Sequence, residues 1–146
     1  MPNNVTIRPA TLQDAGGIAE LCRVALGYDT EEPLVEERLP GLLSNPTHKV
    51  VVAETDGELV GFAHACDYDQ LYSPPMKNLM AIAVTHGARG RGIGKLLLAE
   101  MERWAHATGA FALRVVSGEA RLDAHHMYRS AGYGGEKGKR SFYKIL

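Results

Sequence analysis

The chain has few cysteines and no long apolar run, and both absences narrow the class of protein. Its two cysteines, Cys22 and Cys66, match neither a disulfide framework nor a Cys-x-x-Cys metal motif. We therefore expect reduced, partly buried thiols in a reducing compartment, with the cytoplasm as the default. No segment approaches the length of a membrane span, and Met1 to Asn4 lacks the charged and apolar regions of a signal peptide. The sequence thus predicts neither membrane insertion nor export.

An excess of charge of either sign is also missing. The chain has 16 basic and 17 acidic residues and a net charge of −1, so general electrostatic attraction to nucleic acid or to an anionic membrane is not expected. Internal repeats, low-complexity tracts and long linkers are absent as well. With 146 residues, 45% of them hydrophobic, the chain can bury a core without metals or disulfides. We therefore predict a single domain over residues 1–146.

What the sequence does contain is an alternation of strand and helix patterns that predicts a mixed α+β fold. Apolar and β-branched runs predict strands at Val5 to Arg8, Lys49 to Glu54, Leu59 to Cys66, Leu79 to Val84, Phe111 to Val116 and Ser141 to Ile145. Apolar residues at helical spacing predict helices from Thr11 to Gly27, from Glu31 to Leu43 with a break at Pro40-Gly41, from Ile93 to Thr108, and around Asp123 to Ala131. The tight-turn pair Asp56-Gly57 predicts a hairpin. The third helix predicts a parallel crossover between its flanking strands.

The third helix should lie on the sheet through one apolar face. Its apolar residues recur at helical spacing, whereas its charged residues fall largely opposite. The predicted buried face consists of Ile93, Leu96, Leu97, Met101, Trp104 and Ala105.

A glycine-rich basic loop joins the fourth predicted strand to this helix. It consists of Arg89, Gly90, Arg91, Gly92, Ile93, Gly94 and Lys95. Glycines let the backbone approach a ligand closely, and a helix start presents unpaired N–H groups and the positive end of the helix dipole. Three basic side chains add positive charge. The loop therefore predicts a site for an anion, most simply a phosphate group.

Two common phosphate loops do not fit this segment. A P-loop would need glycine where Arg89 stands and a magnesium-binding hydroxyl where Leu96 stands. A dinucleotide fingerprint that starts at Gly90 would need glycine or alanine at Lys95. Walker-type nucleotide hydrolysis and dinucleotide binding are therefore disfavoured.

The remaining pattern, Arg-x-x-Gly-x-Gly at Arg89, Gly92 and Gly94, resembles the acyl-CoA pyrophosphate loop of the GNAT N-acetyltransferase superfamily. A second stretch, Ala124 to Tyr133, is similar to that family's pattern of alanine, a tyrosine and then Gly-Tyr. The predicted order of elements also matches the GNAT fold over almost the whole chain. The resemblance implies a central, mostly antiparallel sheet with one parallel βαβ crossover, splayed central strands and helices on both faces.

The resemblance also implies roles for individual residues. The loop from Arg89 to Lys95 would bind the pyrophosphate of acetyl-CoA, and Tyr128 would act as general acid that protonates the leaving thiolate. Backbone groups of Ile82, Ala83 and Val84 would bind the pantetheine arm like an added β-strand. A backbone N–H among them could stabilise the oxyanion that forms during acyl transfer. Because no cysteine falls on a matched catalytic position, we expect direct transfer in a ternary complex instead of an acyl-enzyme.

The general base departs from the family pattern. Family members often place a glutamate on the central strand, but Leu79 to Val84 contains no carboxylate. Six side chains could take the proton directly or through water, and the sequence does not rank them: His64, Asp67, Asp69, His86, Glu119 and His125.

The sequence also supports predictions about metals, the acceptor, alternative functions and oligomeric state. No metal site is expected, because His125 and His126 point about 100° apart on a helix and no third ligand accompanies them. The acids between Glu31 and Glu37 form either a solvated helix face or an attraction for a cationic acceptor. The acceptor is a primary amine on a small molecule or on a protein. The main alternative to an acetyltransferase is a non-catalytic acyl-CoA sensor. A nucleic-acid binder is disfavoured by the near-neutral net charge. The apolar segment Phe142 to Leu146 could contribute to a homodimer.

Overall fold

The structure, a computed structural model, describes residues 4–146. The described chain forms strands β1 (Val5–Pro9), β2 (His48–Thr55), β3 (Glu58–Tyr68), β4 (Met76–Val84) and β5 (Ala112–Val115). Its helices are α1 (Ala15–Val24), α2 (Glu32–Leu43), α3 (Ile93–Ala107) and α4 (Leu122–Ser130). The chain falls into two compact units that divide between Val116 and Ser117. The first unit contains the whole sheet and α1 to α3, and the second contains α4.

The strands form one sheet in the order β1-β2-β3-β4-β5. The first three pairings are antiparallel and the β4–β5 pairing is parallel. Asp56 and Gly57 connect β2 to β3 with φ angles of 50° and 79°, which is the backbone geometry that a two-residue hairpin turn of matching twist requires. The predicted mixed sheet, its hairpin and its βαβ crossover are therefore confirmed.

Helices cover both faces of the sheet. On one face, Ile18 and Leu21 of α1 and Leu39 of α2 form a cluster with sheet residues, among them Val52 and Phe62. We call this the α1–α2 face. α3 packs on the other face through buried residues one helical turn apart: Ile93, Leu97, Met101 and Ala105, together with Leu98. The prediction for α3 was wrong about Leu96 and Trp104, which are only half-buried, and it missed Leu98.

β4 and β5 separate next to a β-bulge. β5 pairs with β4 only from Met76↔Ala112 to Leu79↔Val115. One residue later the β3–β4 register jumps from Ala65↔Leu79 to His64↔Ala81, so Met80 is an extra residue in β4. A bulge bends its strand and increases the local twist. Along residues 80–84, β4 pairs with β3 on one side, and no described strand pairs with its other edge.

Four predicted elements differ in the structure: the last predicted strand is absent, β3 and β4 are longer, and α2 is continuous. The structure has no strand at residues 141–145, where Phe142 and Tyr143 are 88% and 90% exposed. A strand requires a partner ladder, and β-propensity without a partner does not form one. β3 and β4 extend to Tyr68 and from Met76, because their pairing continues beyond the apolar runs. α2 continues through Pro40, because the helix bond that a proline cannot donate is lost on an exposed surface.

Candidate active site

The loop before α3 has the geometry of an anion site. Gly90 and Gly92 have φ angles of 80° and 76°, in the left-handed region that side chains disfavour. Gly92 caps α3, whose first hydrogen bond runs from the Leu96 N–H to the Gly92 carbonyl at 3.1 Å. The N–H groups of the three residues between them therefore precede the helical ladder. These N–H groups are hydrogen-bond donors at the start of α3, where the positive end of the helix dipole also lies.

The basic side chains of the loop surround this helix start. Arg89, Arg91 and Lys95 are all exposed. Arg89 also donates from Nε to the carbonyl oxygen of Val84 at 3.2 Å. This contact joins the loop to the last residue of β4, so the candidate anion-binding loop lies next to the strand edge.

The open edge of β4 presents backbone groups of two residues. The Thr85 N–H donates to the Val60 carbonyl at 2.8 Å, and hydrogen-bonded pairs alternate with non-bonded pairs along an antiparallel ladder. By this alternation, the N–H and C=O of Ala83 point toward β3, while those of Ile82 and Val84 point toward the open edge. Since Arg89 occupies the Val84 carbonyl, the remaining groups on this edge are the Ile82 N–H and C=O and the Val84 N–H.

Tyr128 lies on α4 in the second unit, whereas the loop and β4 belong to the first. It is 7% exposed, and burial raises the pKa of its phenol, partly opposed by the charge of Arg121. Its ring lies 6.1 Å from the ring of Tyr133, and the Tyr133 N–H donates to the Tyr128 carbonyl at 3.0 Å. The phenol is therefore protonated at neutral pH, as a general acid must be.

Two of the candidate bases are engaged in structural contacts. Asp67 forms an ion pair with the buried Lys77, whose ammonium also lies 4.5 Å from the Trp104 ring centroid. The Nε2 of His125 lies 2.9 Å from the Gly118 carbonyl oxygen, so this nitrogen carries a proton and donates. Three further candidates are exposed side chains: Asp69, His86 and Glu119.

His64 differs from the other candidates because it forms a pair with His48. His48 Nδ1 lies 2.9 Å from His64 Nε2, and the rings stack with centroids 5.2 Å apart. Burial and, to a lesser extent, the charge of His48 lower the pKa of His64 to about 4. His64 is therefore neutral at neutral pH and able to accept a proton. The sequence prediction named His64 but missed His48.

The same sheet face carries a further polar cluster that the sequence prediction missed. Arg114 of β5 donates from Nη1 to the Asn78 Oδ1 at 2.7 Å, and its guanidinium lies 4.5 Å from the Tyr68 ring centroid. Pairing of β3, β4 and β5 brings these side chains together. Predicting such a cluster requires the pairing register of the three strands, and the periodicity of the sequence does not give that register.

The acidic residues of α2 form an exposed surface. Glu31, Glu32, Glu36 and Glu37 are all exposed. A hydrogen bond with Glu32 raises the pKa of the Glu36 carboxyl. This is the behaviour of like charges on a solvated helix.

Residues 4–146 show neither a clustered metal site nor a membrane-spanning helix. Among residues 4–146, no group of three or more histidine, cysteine or acidic side chains is placed to hold a metal ion. Within the same range, none of the helices combines the length and the apolar character needed to cross a bilayer. Cys22 and Cys66 are both free and partly buried.

Comparisons with known proteins agree with this geometry. A family model described as the acetyltransferase (GNAT) family matches residues 17–133. The chain is 35% identical over 133 residues to an aminoglycoside N(6′)-acetyltransferase type 1 of Stenotrophomonas maltophilia, with 88% of this chain and 85% of the relative covered. It is 28% identical over an aligned length of 151 residues to a phosphinothricin N-acetyltransferase of Streptomyces coelicolor, with 93% and 88% covered.

A solved structure extends the agreement to the fold. The aminoglycoside N-acetyltransferase AAC(6′)-Iy in complex with CoA superposes with a TM-score of 0.84 at 21% identity, covering 97% of this chain and 94% of that chain. Since the family match spans most of the sequence, the chain belongs to the GNAT acetyltransferase family. It is an acetyl-CoA-dependent N-acyltransferase, as the two sequence motifs predicted.

Proposed function

We propose that this protein transfers the acetyl group of acetyl-CoA to a primary amine of a small molecule, directly within a ternary complex. The observation that carries the proposal is the continuity of two features. The open edge of β4, at residues 80–84, leads into a loop with two left-handed glycines at the start of α3. One feature suits an extended amide-containing arm, and the other suits a pyrophosphate.

The pyrophosphate of acetyl-CoA would bind at the α3 N-terminus. Its charge is complemented by the backbone N–H groups from Gly90 to Lys95 and by the side chains of Arg89, Arg91 and Lys95. Gly90 and Gly92 adopt a left-handed conformation that would strain any residue with a Cβ. Because neither has a side chain, the backbone can approach the phosphate oxygens closely.

The pantetheine arm would pair with β4 as an added strand. Its amides exchange hydrogen bonds with backbone groups of the predicted segment Ile82, Ala83 and Val84, and the alternation of the ladder favours Ile82 and Val84 over Ala83. The Ile82 N–H then faces the acetyl carbonyl. A donor fixed in the strand before the reaction stabilises the developing oxyanion without reorganisation.

Tyr128 would serve as the general acid. The amine nitrogen attacks the acetyl carbon, a C–N bond forms and the C–S bond breaks, and the thiolate takes the phenolic proton. Burial keeps this phenol protonated until the thiolate appears. No cysteine needs to carry the acetyl group, because the amine can attack acetyl-CoA itself.

The acceptor is a small-molecule amine by analogy with the relatives. Both relatives are named for a small-molecule acceptor, an aminoglycoside in one case and phosphinothricin in the other. An amine on a protein is the second class of acceptor to test.

The free thiols Cys22 and Cys66 support a cytoplasmic location. The exposed apolar side chains of Phe142, Tyr143 and Ile145 support a homodimer.

A matched pair of glycine variants tests cofactor binding. Gly92→Glu places a strained, negatively charged residue at the pyrophosphate site, so acetyl-CoA binding measured by calorimetry should fall below detection. Gly109→Glu is the control, because Gly109 also has a positive φ, 88°, but follows the opposite end of α3. It should bind as wild type does. Equal binding by both variants would contradict the proposed site.

Thiol release against a panel of amines tests the transfer itself. Wild-type protein should release CoA with at least one small-molecule amine, and Tyr128→Phe should lower kcat about 10²-fold while acetyl-CoA still binds. The second candidate function, a non-catalytic acyl-CoA sensor, predicts binding without release for every amine. It also predicts that Tyr128→Phe has no effect beyond packing.

A further inference from the structure

The pair of His48 and His64 lies at the border of the hydrophobic core on the α1–α2 face. Val52 and Phe62 belong to that core, and the partly buried Ala81 packs against it. His64 stands opposite both Val50 and Ala81 in the sheet, while His48 is the first residue of β2. The two imidazoles therefore extend from the core border toward the end of a strand.

This position is next to the point where β4 opens. Ala81 follows the extra residue Met80 and precedes Ile82, whose N–H faces the open edge. His64 is directly opposite Ala81, and neighbouring strands lie about 4.8 Å apart. Of the six candidate bases, His64 is the one that pairs in the sheet with the first residue after the bulge, Ala81. Asp67 and His125 are already engaged by Lys77 and by the Gly118 carbonyl.

We propose that His64 accepts the proton of the acceptor amine and that His48 passes it on to solvent. The proposal rests on the proposed function, because it names the base for that same transfer. It assigns His64 as a catalytic residue and His48 as a positioning residue that acts through it.

The proton balance follows from the geometry of the pair. With Nε2–H of His64 donating to Nδ1 of His48, the Nδ1 of His64 is left as an acceptor. The amine nitrogen forms its bond to the acetyl carbon and releases one proton to this Nδ1. The Nε2 proton of His64 then moves to His48 Nδ1, and His48 releases its own Nε2 proton to water. After the product leaves, water removes the proton from His64 Nδ1 and returns one to His48 Nε2, and the shared proton moves back to His64 Nε2, so both rings regain their starting tautomers. The departing thiolate takes its proton separately, from Tyr128.

The electrostatics of the pair agree with this direction of transfer. Burial and His48 lower the pKa of His64, so the base is neutral before each turnover and does not retain the proton afterwards. Two thiols lie near the pair: Cys66, opposite His48 in the sheet, and Cys22 of α1, packed against the same core. The other titratable groups on this side are Arg114 and Tyr68 in their cluster with Asn78, the ion pair of Arg8 and Asp14, and the exposed acids of α2. Burial raises the pKa of both thiols. The two thiols are therefore uncharged at neutral pH and do not compete with His64 for the proton.

Chemical rescue tests whether His64 is the base. His64→Ala should lower kcat by about 10²-fold or more with the amine identified for wild type. Imidazole added to the assay should restore activity with a saturable dependence, because it can occupy the space of the missing ring and accept the proton. The KM for acetyl-CoA should stay within twofold. Rescue is a response that a purely structural histidine would not give.

His48→Gln tests the relay. Glutamine can still hydrogen-bond to His64 but cannot carry the proton away, so kcat should fall about tenfold. Removal of the His48 charge should also raise the pKa of His64, followed by NMR of the ring protons, and move the acid limb of the kcat profile to higher pH. Cys66→Ala is the control on the same face, and its kcat and pH profile should match wild type.

The outcomes separate this proposal from the proposed function. A folded His64→Ala protein with kcat within twofold of wild type overturns the proposal, as does a large loss that imidazole does not restore. Either result leaves acetyl transfer itself intact. Wild-type protein that binds acetyl-CoA but acetylates no amine overturns the proposed function, and the base assignment with it.

Discussion

The two halves of β4 have the same neighbour on one side and different neighbours on the other. From Met76 to Leu79 the strand has β3 on one edge and β5 on the other, and it buries Lys77 and Leu79. From Met80 to Val84 it keeps β3 but has lost β5. One half is built for stability, because both of its ladders are complete. The other half retains unused backbone donors and acceptors, which is what a substrate that binds as a strand needs.

The proposed site therefore depends more on where strand pairing stops than on which side chains are present. A single inserted residue, Met80, separates the halves. The side chains of the open half, Ala81, Ile82, Ala83 and Val84, are all apolar and carry no chemistry of their own. Variants that alter backbone groups in one half and side chains in the other can therefore separate catalysis from stability.

The largest expected effect comes from removing the N–H of the open edge. Ile82→Pro should lower kcat by about 10²–10³-fold, the usual cost of one oxyanion donor. Steady-state thiol release measures it. The fold should survive, because the Ile82 N–H points away from the β3 ladder.

Two further variants serve as controls for that prediction. Ile82→Ala loses the same buried side chain but keeps the N–H, so its kcat should remain within several-fold of wild type. Ala83→Pro removes a donor that points toward β3 and should instead destabilise the protein. If Ile82→Pro and Ile82→Ala lose the same activity, the N–H has no special role.

Side-chain truncation in the paired half should change stability without changing the site. Leu79 is 4% exposed, and Leu79→Ala should lower the free energy of unfolding by about 3 kcal/mol. Affinity for acetyl-CoA should be retained, since the open edge and the α3 loop are untouched. Urea unfolding and calorimetry measure the two quantities.

The matched variant in the open half is Met80→Ala. Met80 is 54% exposed, so its truncation should change stability by less than about 0.5 kcal/mol. A loss similar to that of Leu79→Ala would contradict the contrast between the halves.

The sequence predicted those parts of the site that depend on local patterns. The glycine spacing predicted a loop in which Gly90 and Gly92 adopt left-handed backbone conformations, and together with the stretch around Tyr128 it indicated the family to which the chain belongs. Both signals lie within about ten residues, so neither requires knowledge of which strands pair. The hairpin could also be predicted, because Asp56-Gly57 demands a tight turn.

The histidine pair could not be predicted, and the reason is a change of register. Counting outward from a regular two-residue turn places His48 opposite Ala65 and therefore on the other face from His64. In the structure the β2–β3 register shifts between Ala53 and Glu54, and His48 instead stands opposite Cys66. A shift of one residue moves every later side chain to the other face. The same limitation hid Met80, whose bulge opens β4.

A pH dependence of stability should also originate beside the open half. The pKa of His64 is about 4 in the folded protein and about 6.5 when unfolded. Because the unfolded chain binds the proton more readily, stability should fall as pH decreases below 6.5, by about 2 kcal/mol at pH 5. Urea unfolding from pH 7 to pH 5 measures this slope, and His64→Gln should flatten it. An unchanged slope in His64→Gln would mean that other groups, such as the Asp14 carboxyl beside Arg8, dominate the acid sensitivity. It would also mean that His64 lacks the low pKa that makes it neutral next to the open strand.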